Sequence, residues 1–350
     1  MYAKGLSAVL TLALATAAFG EPVITSVHGR FVAGQEVTLG GVGFGEKSPA
    51  RPVLFADFAS SIEPSSMGAL SRWDLVENMQ HHADCPGMAE PGCAASVGYS
   101  CVWTMMVKSG LLAELGARAY VYRVVRKNFA VTDYSQNWKV YRSWADEFRT
   151  PDLYVAENIG RIYTENPPAA LANGYWAETA LRMEANVWST EEFLLRTSSA
   201  PDVGDGLLRF RRDGREMASG PISTHFSAIP RSMLLDFVVH FVKANASLWT
   251  PQWSDSNRVW VDDVYVDRTW ARVMLGNAPR YGDCSVLVPQ LPLLWSDGSI
   301  TVRANLGGML ALRPEAFAYV IDADGNVNAV GYPVYVAGVA PAAPRNLTVK

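Results

Sequence analysis

A chain of 350 residues can bury one large core or two smaller ones, so its fold does not depend on a metal or a dense disulfide framework. Thirty Lys and Arg stand against 34 Asp and Glu, and a net charge of −4 argues against the clustered basic excess of a nucleic-acid-binding domain, leaving open only a local patch for a polyanion. The 11 Trp and 14 Tyr exceed what a core requires, and aromatic rings with polar edges serve both β-sandwich packing and sugar-binding surfaces.

The amino terminus has the layout of a secretion signal over residues 1–20. Lys4 supplies the positive end, residues 6–18 the apolar run and Ala18-Phe19-Gly20 the small-x-small cleavage site. The run is short for a bilayer, and no later stretch reaches the length of a membrane helix, so the expectation is an exported protein without a membrane span. Export accounts for an even set of cysteines, Cys85, Cys93, Cys101 and Cys284, with three pairings open. Their spacing is not that of a zinc ribbon; His81 and His82 beside Cys85 keep a metal as the lesser alternative to a disulfide-tied loop.

Residues 22–45 read as two short strands separated by glycine turns. A new start follows at residues 52–58, then a polar segment to Gln80 and the cysteine loop over residues 81–101. Strands are predicted at 101–108, 119–126, 138–144, 152–158, 178–188, 191–197, 206–212, 233–242 and 258–267. Residues 178–188 alternate most regularly, with Met183, Ala185 and Val187 against Glu184, Asn186 and Trp188, and they predict a half-buried strand. Arg212-Asp213-Gly214-Arg215 suits a primed hairpin turn.

Gly34-Gln35-Glu36-Val37-Thr38 followed by Gly41-Val42-Gly43-Phe44-Gly45 resembles the opening of an IPT/TIG immunoglobulin-like domain. Residues 271–276, 285–289, 295–302 and 317–325 resemble its later strands. Between them, Asn137-Trp138-Lys139-Val140-Tyr141-Arg142, the two Asp-Gly hairpins and Trp260-Val261-Asp262-Asp263-Val264-Tyr265-Val266 resemble a concanavalin A-like jelly roll, the fold of lectins, glucanases and several polysaccharide lyases. The resemblance implies an all-β chain: an antiparallel jelly-roll β-sandwich at 52–270 inserted into a smaller immunoglobulin-like β-sandwich made of 22–51 and 271–337. Residues 338–350, rich in Pro and Ala, read as a linker or disordered tail. A bridge from Cys284 to the cysteine loop would tie guest to host.

Glycoside hydrolysis needs two carboxyls across the bond, and no Glu-x-Asp-x-x-Glu strand occurs. Glu178 and Glu184 would lie about 20 Å apart on an extended strand, too far to act together. Carbohydrate recognition asks only for a polar strip with aromatic platforms, which Trp138, Trp144, Arg182, Glu184, Asn186 and Trp188 would supply. The alternative is uronate elimination, with Arg142 and Arg182 neutralising a carboxylate and His240 or Tyr141 moving the proton; of the alginate-lyase pattern only Arg182-Met183-Glu184 is echoed. A third reading is a structural or adhesive surface subunit that self-associates. No cofactor is certain; calcium stays open through the lectin-like resemblance, although Asp322-Ala323-Asp324-Gly325-Asn326 lacks the distal Glu of an EF-hand and reads as a turn. The expected partner is a polysaccharide or surface glycan.

Overall fold

The computed structural model describes residues 20–59, 73–77, 79–86, 92–96, 104–130, 139–144, 152–156, 161–165, 174–176, 183–227, 236–242, 257–307 and 315–336. Nearly all regular structure is β, and each strand pairing is antiparallel. A seven-stranded sheet runs in the order Gly174–Trp176, Arg161–Glu165, Asp152–Ala156, Lys139–Trp144, Asp236–Val242, Thr104–Ser109, Leu75–Glu77. An eight-stranded sheet runs Arg215–Ile222, Gly206–Arg212, Ser189–Arg196, Arg118–Lys127, Val259–Asp267, Cys93–Ser96, Met79–His82, with Leu54–Ala56 also paired to Val259–Asp267. Two four-stranded sheets complete the fold. The nearer one orders Leu287–Pro289, Arg272–Gly276, Glu315–Ile321 and Tyr332–Tyr335; the farther one orders Val23–His28, Glu36–Val42, Ser299–Arg303 and Leu291–Ser296.

Side-chain alternation explains how these sheets stack. In Arg118–Lys127 the odd residues Ala119, Val121 and Val125 share a core with Phe193, Leu195, Phe210 and Met106, which closes the eight-stranded sheet on the seven-stranded one. The even residues Tyr120, Tyr122 and Val124 lie in a second core with Leu194, Tyr265, Met274 and Tyr319, on the opposite side. Met274 and Tyr319 belong to the nearer four-stranded sheet, whose alternate residues Val273, Leu275 and Val320 pack on Val37, Leu39 and Ile300 of the farther one. Four layers therefore share three cores. Each buried Leu, Phe or Val in them is worth about 1.5–3 kcal/mol relative to exposure.

Strands from the two ends of the chain pair directly. Glu36–Val42 lies against Ser299–Arg303 in continuous register, from Glu36 opposite Arg303 to Gly40 opposite Ser299. The Gly43-Phe44-Gly45 turn then docks on the Asp297-Gly298 turn: the Phe44 amide donates to the Asp297 carbonyl, the Gly45 amide to its carboxylate, and Trp295 Nε1 to the Phe44 and Gly45 carbonyls.

The structure corrects two expectations. Residues 183–188 are a loop, and the strand begins at Ser189; residues 177–182 lie outside the described residues. Asn186 takes a left-handed φ of 67° and donates its amide to the Lys127 carbonyl at 2.6 Å, which turns the chain where a pleat was expected. Burial does not follow the alternation: Met183 and Trp188, on opposite sides of it, are both buried, while Val187 on the apolar side is exposed. The second correction concerns the cysteines. Cys85 is bonded to Cys93, whereas Cys284 is a buried free thiol near the Tyr319 hydroxyl and the Arg280 carbonyl, so no bridge ties it to the cysteine loop; Cys101 lies outside the described residues. The Asp213-Gly214 hairpin, by contrast, has φ of 48° and 72° and pairs Arg212 with Arg215, the geometry of a primed turn. Among the described residues no helix is long and apolar enough to cross a membrane.

Glu191 and Glu192, buried inside the sandwich, are each paired with arginines. Glu191 is fully buried between Arg123, whose Nη2 is 2.6 Å from Oε2, and Arg212, whose Nε is 3.0 Å from Oε1. Burial alone would raise the Glu191 pKa, but Arg123 and Arg212 together hold it below the ordinary 4.5. A carboxyl with a depressed folded pKa contributes stability that is complete above its unfolded value and is lost as pH falls through the folded one. Glu191→Gln should therefore unfold at lower denaturant concentration near neutral pH, by about 3 kcal/mol or more, because two guanidinium groups lose their counter-charge. The gap from wild type should narrow as the pH falls below 4.5. A gap independent of pH would contradict this pairing.

Candidate functional site

Register identifies the non-core face of the seven-stranded sheet. Met106 is in the core, and Val76 opposite it packs on the same core, so the alternate row through Val107 lies on the other face. Val107 pairs with Val238, Val238 with Arg142, Arg142 with Tyr154, Tyr154 with Tyr163 and Tyr163 with Gly174. A parallel row on that face joins Ser109, Asp236, Trp144, Asp152 and Glu165. Arg161 and Trp176 are paired two residues further along their strands. The alternate register of the same strands holds Tyr141, Ser143, Leu153, Val155, Ile162, Thr164, Tyr175 and Phe237, a set without charge. Composition and register thus agree on which face is which.

This geometry sorts the residues expected from sequence. Arg142 and Trp144 fall on the non-core face, two residues apart on one strand. Tyr141 falls on the core-facing row. His240 was expected to share a face with Asp236, but a register shift between Val238 and His240 sets His240 opposite Met106, in the core-facing register. Trp188 is not a platform: it is buried, and its Nε1 donates to the Pro86 carbonyl at 2.8 Å, under the disulfide loop. Glu184 and Asn186 sit on the exposed loop, with the Asn186 carbonyl oxygen accepting from Arg126 at 3.3 Å. Trp138 and Arg182 lie outside the described residues. The strands Arg161–Glu165 and Gly174–Trp176 were missed, although Arg-Ile-Tyr-Thr-Glu alternates with period two and follows a Glu-Asn-Ile-Gly turn signal.

Among the described residues the eight-stranded sheet is covered on its second side. On its second side Glu192 accepts from Tyr120 at 2.8 Å and from Tyr281 at 3.3 Å, with Arg211 and Arg272 within 3.6 Å. Burial first, and then the neighbouring Glu192 charge, push the Tyr120 pKa well above its usual value. Burial works against the charge of Arg272, yet Tyr281, Tyr120 and Glu192 outweigh it and keep the guanidinium protonated. This cluster joins layers and is closed to a large ligand. Asp322 is likewise satisfied within its own turn, by the amides of Asp324 and Asn326 and the Asn326 side chain. Among the described residues no group of three or more His, Cys, Asp or Glu is gathered to hold a metal.

No protein-family model matches this chain, and no curated protein matches it. Among solved structures it is similar to the endo-beta-1,4-glucuronan lyase from the fungus Trichoderma reesei, with a TM-score of 0.42 and 14% identity over 58% of this chain and 93% of that one. It is also similar to the alginate lyase Aly36B (TM-score 0.33, 9% identity, 63% and 93% covered). The endo-1,3-beta-glucanase from Streptomyces sioyaensis gives a TM-score of 0.36 at 10% identity, with 63% and 97% covered.

The face assignment has a direct test in stability. Tyr141→Ala, at a core-facing position, should lower the unfolding free energy by about 3 kcal/mol, whereas Tyr163→Ala on the other face should cost less than about 1 kcal/mol. Equal losses in urea titrations would mean the two faces are misassigned.

Proposed function

We propose that this chain is an exported carbohydrate-binding protein and that the polymer lies on the non-core face of the seven-stranded sheet. The supporting observation is the register that aligns Arg142, Tyr154 and Tyr163 beside the row of Trp144, Asp152 and Glu165, with Trp176 and Arg161 flanking them. Strand spacing of about 4.8 Å makes the four-strand row from Arg142 to Gly174 about 14 Å long, room for more than one sugar ring. Sugars offer C–H faces to aromatic rings and hydroxyls to carboxylates and guanidinium groups, and this row carries both kinds of partner. Val107, at the other end of the Arg142 row, is buried, so at that end the ligand is placed over the parallel row, which ends on the half-buried Ser109. In this reading residues 1–20 are the export signal, and segments 22–51 and 271–337 form one discontinuous domain that carries the larger sandwich.

Recognition is preferred over chemistry on the support of strand register, in which Tyr141 and His240 fall in the row alternate to that of Arg142. A second reading, uronate elimination, draws on the pairing of Tyr154 with Arg142. There the guanidinium would neutralise the carboxylate while the Tyr154 phenolate takes the α-proton; the C–O bond to the leaving sugar breaks as the C=C forms, and the phenol so formed passes the proton to the leaving oxygen. Titration calorimetry on glycan-array hits should show about tenfold weaker binding in Tyr163→Ala and in Trp176→Ala, with unchanged unfolding midpoints. Wild-type affinity in both variants would remove the ligand from this face. Ultraviolet absorbance from new C=C bonds on polyuronates, absent in Tyr154→Phe, would establish the second reading, and a flat trace with binding retained would establish the first.

A further inference from the structure

A cleft of about 490 Å³ opens where the segment entering the larger sandwich crosses the segment leaving it. Glu46, Lys47, Ser48 and Arg51 form one wall, Asp267, Arg268 and Thr269 the other, and Lys108 and Ser109 the end. Two of its four cations are already neutralised. Lys47 is buried, with Nζ 2.6 Å from an Asp267 oxygen and 3.3 Å from the Tyr265 hydroxyl, and Lys108 is 2.9 Å from Asp74. Burial lowers the Lys47 pKa and raises that of Asp267, each shift opposed by the other's charge. Arg51 and Arg268 differ: both are exposed, and among the described residues neither side chain has a hydrogen bond or ion pair. Only the exposed carboxylate of Glu46 stands against them on the lining.

The position of this cleft matters as much as its charge. Ser109 lines it and also heads the row Ser109, Asp236, Trp144, Asp152, Glu165 on the non-core face. A polymer lying along that row would bring its next unit to the two free guanidinium groups, with the Ser48, Ser109 and Thr269 hydroxyls beside them. A guanidinium is a planar fork that pairs bidentately with a carboxylate or a sulfate, and the neutral hydroxyls of an unsubstituted sugar leave its charge unanswered.

We infer that this cleft is a subsite for an anionic substituent, carboxylate or sulfate, on the bound glycan. The inference rests on the glycan-binding reading of the sheet face and adds the class of sugar to it.

The test is a glycan array that pairs neutral polymers with their carboxylated and sulfated counterparts, followed by calorimetry on the best pair. Wild-type protein should bind the charged member about tenfold more tightly, and the advantage should shrink as salt rises from about 50 to about 500 mM. Arg51→Ala combined with Arg268→Ala should bring the two members to within about twofold while leaving affinity for the neutral polymer unchanged. The charged member preferred identifies the substituent. Both residues are exposed, so the double variant should unfold at the wild-type temperature. A double variant that keeps the preference, or a wild type that has none while binding neutral polymers, overturns the cleft alone. A wild type that binds no polymer on the array removes the sheet-face reading and this inference together.

Discussion

The strand Arg118–Lys127 has no side facing water, and the rest of the molecule follows from that. Its alternate residues belong to different cores, one shared with the seven-stranded sheet and one with the four-stranded sheet that carries Arg272–Gly276. A strand in an isolated sandwich would be polar on one side. Here both sides need apolar or fully paired residues, and the sequence Ala-Tyr-Val-Tyr-Arg-Val-Val provides them. The tyrosines suit the second core because their rings add apolar area; the Tyr120 hydroxyl also reaches Glu192, whereas that of Tyr122 is buried without a hydrogen-bond partner among the described residues.

Two-sided burial also dictates what happens to charge. Glu191 and Glu192 are adjacent in sequence and so fall on opposite faces, where each meets its own guanidinium pair: Arg123 and Arg212 on one side, Arg211 and Arg272 on the other. Such clusters need not add net stability, since desolvation costs much of what Coulomb attraction returns. They set the layers in one arrangement, because any slip of a strand by one residue would bury an unpaired charge. They also occupy the polar groups of the eight-stranded sheet. In the seven-stranded sheet the rows away from the core hold tyrosine, tryptophan and charged positions together by register.

Much of the architecture was legible because local signals were strong. The Asp213-Gly214 pair could hardly serve anything but a turn with positive φ, and the Gly-rich Gly41–Gly45 stretch announced a turn that indeed meets Asp297. The site was harder to read. Residues 178–188 show the most regular alternation in the chain, yet 183–188 form a loop that buries Met183 and Trp188 and exposes Val187, so its burial does not keep the period. Here periodicity in composition predicted neither which residues are covered nor that a loop carries them. The face of His240 was misread for a related reason: one extra residue at Val238–His240 inverts every position after it, and a bulge leaves no mark in composition. Arg161–Glu165 is as long as Asp152–Ala156, which the sequence did show, so length does not explain its omission; by register it sets Tyr163 and Glu165 in the two rows away from the core.

Oxidative footprinting of aromatic side chains in the native protein, read residue by residue, tests most directly which sheet is open and which is closed. Modification of Trp144, Tyr154, Tyr163 and Trp176, with Tyr120, Tyr122 and Tyr265 left intact, is the expected pattern. Native-state modification of Tyr120 and Tyr122, with the first group protected, would show that the sheets are stacked in another order and that the ligand face lies elsewhere.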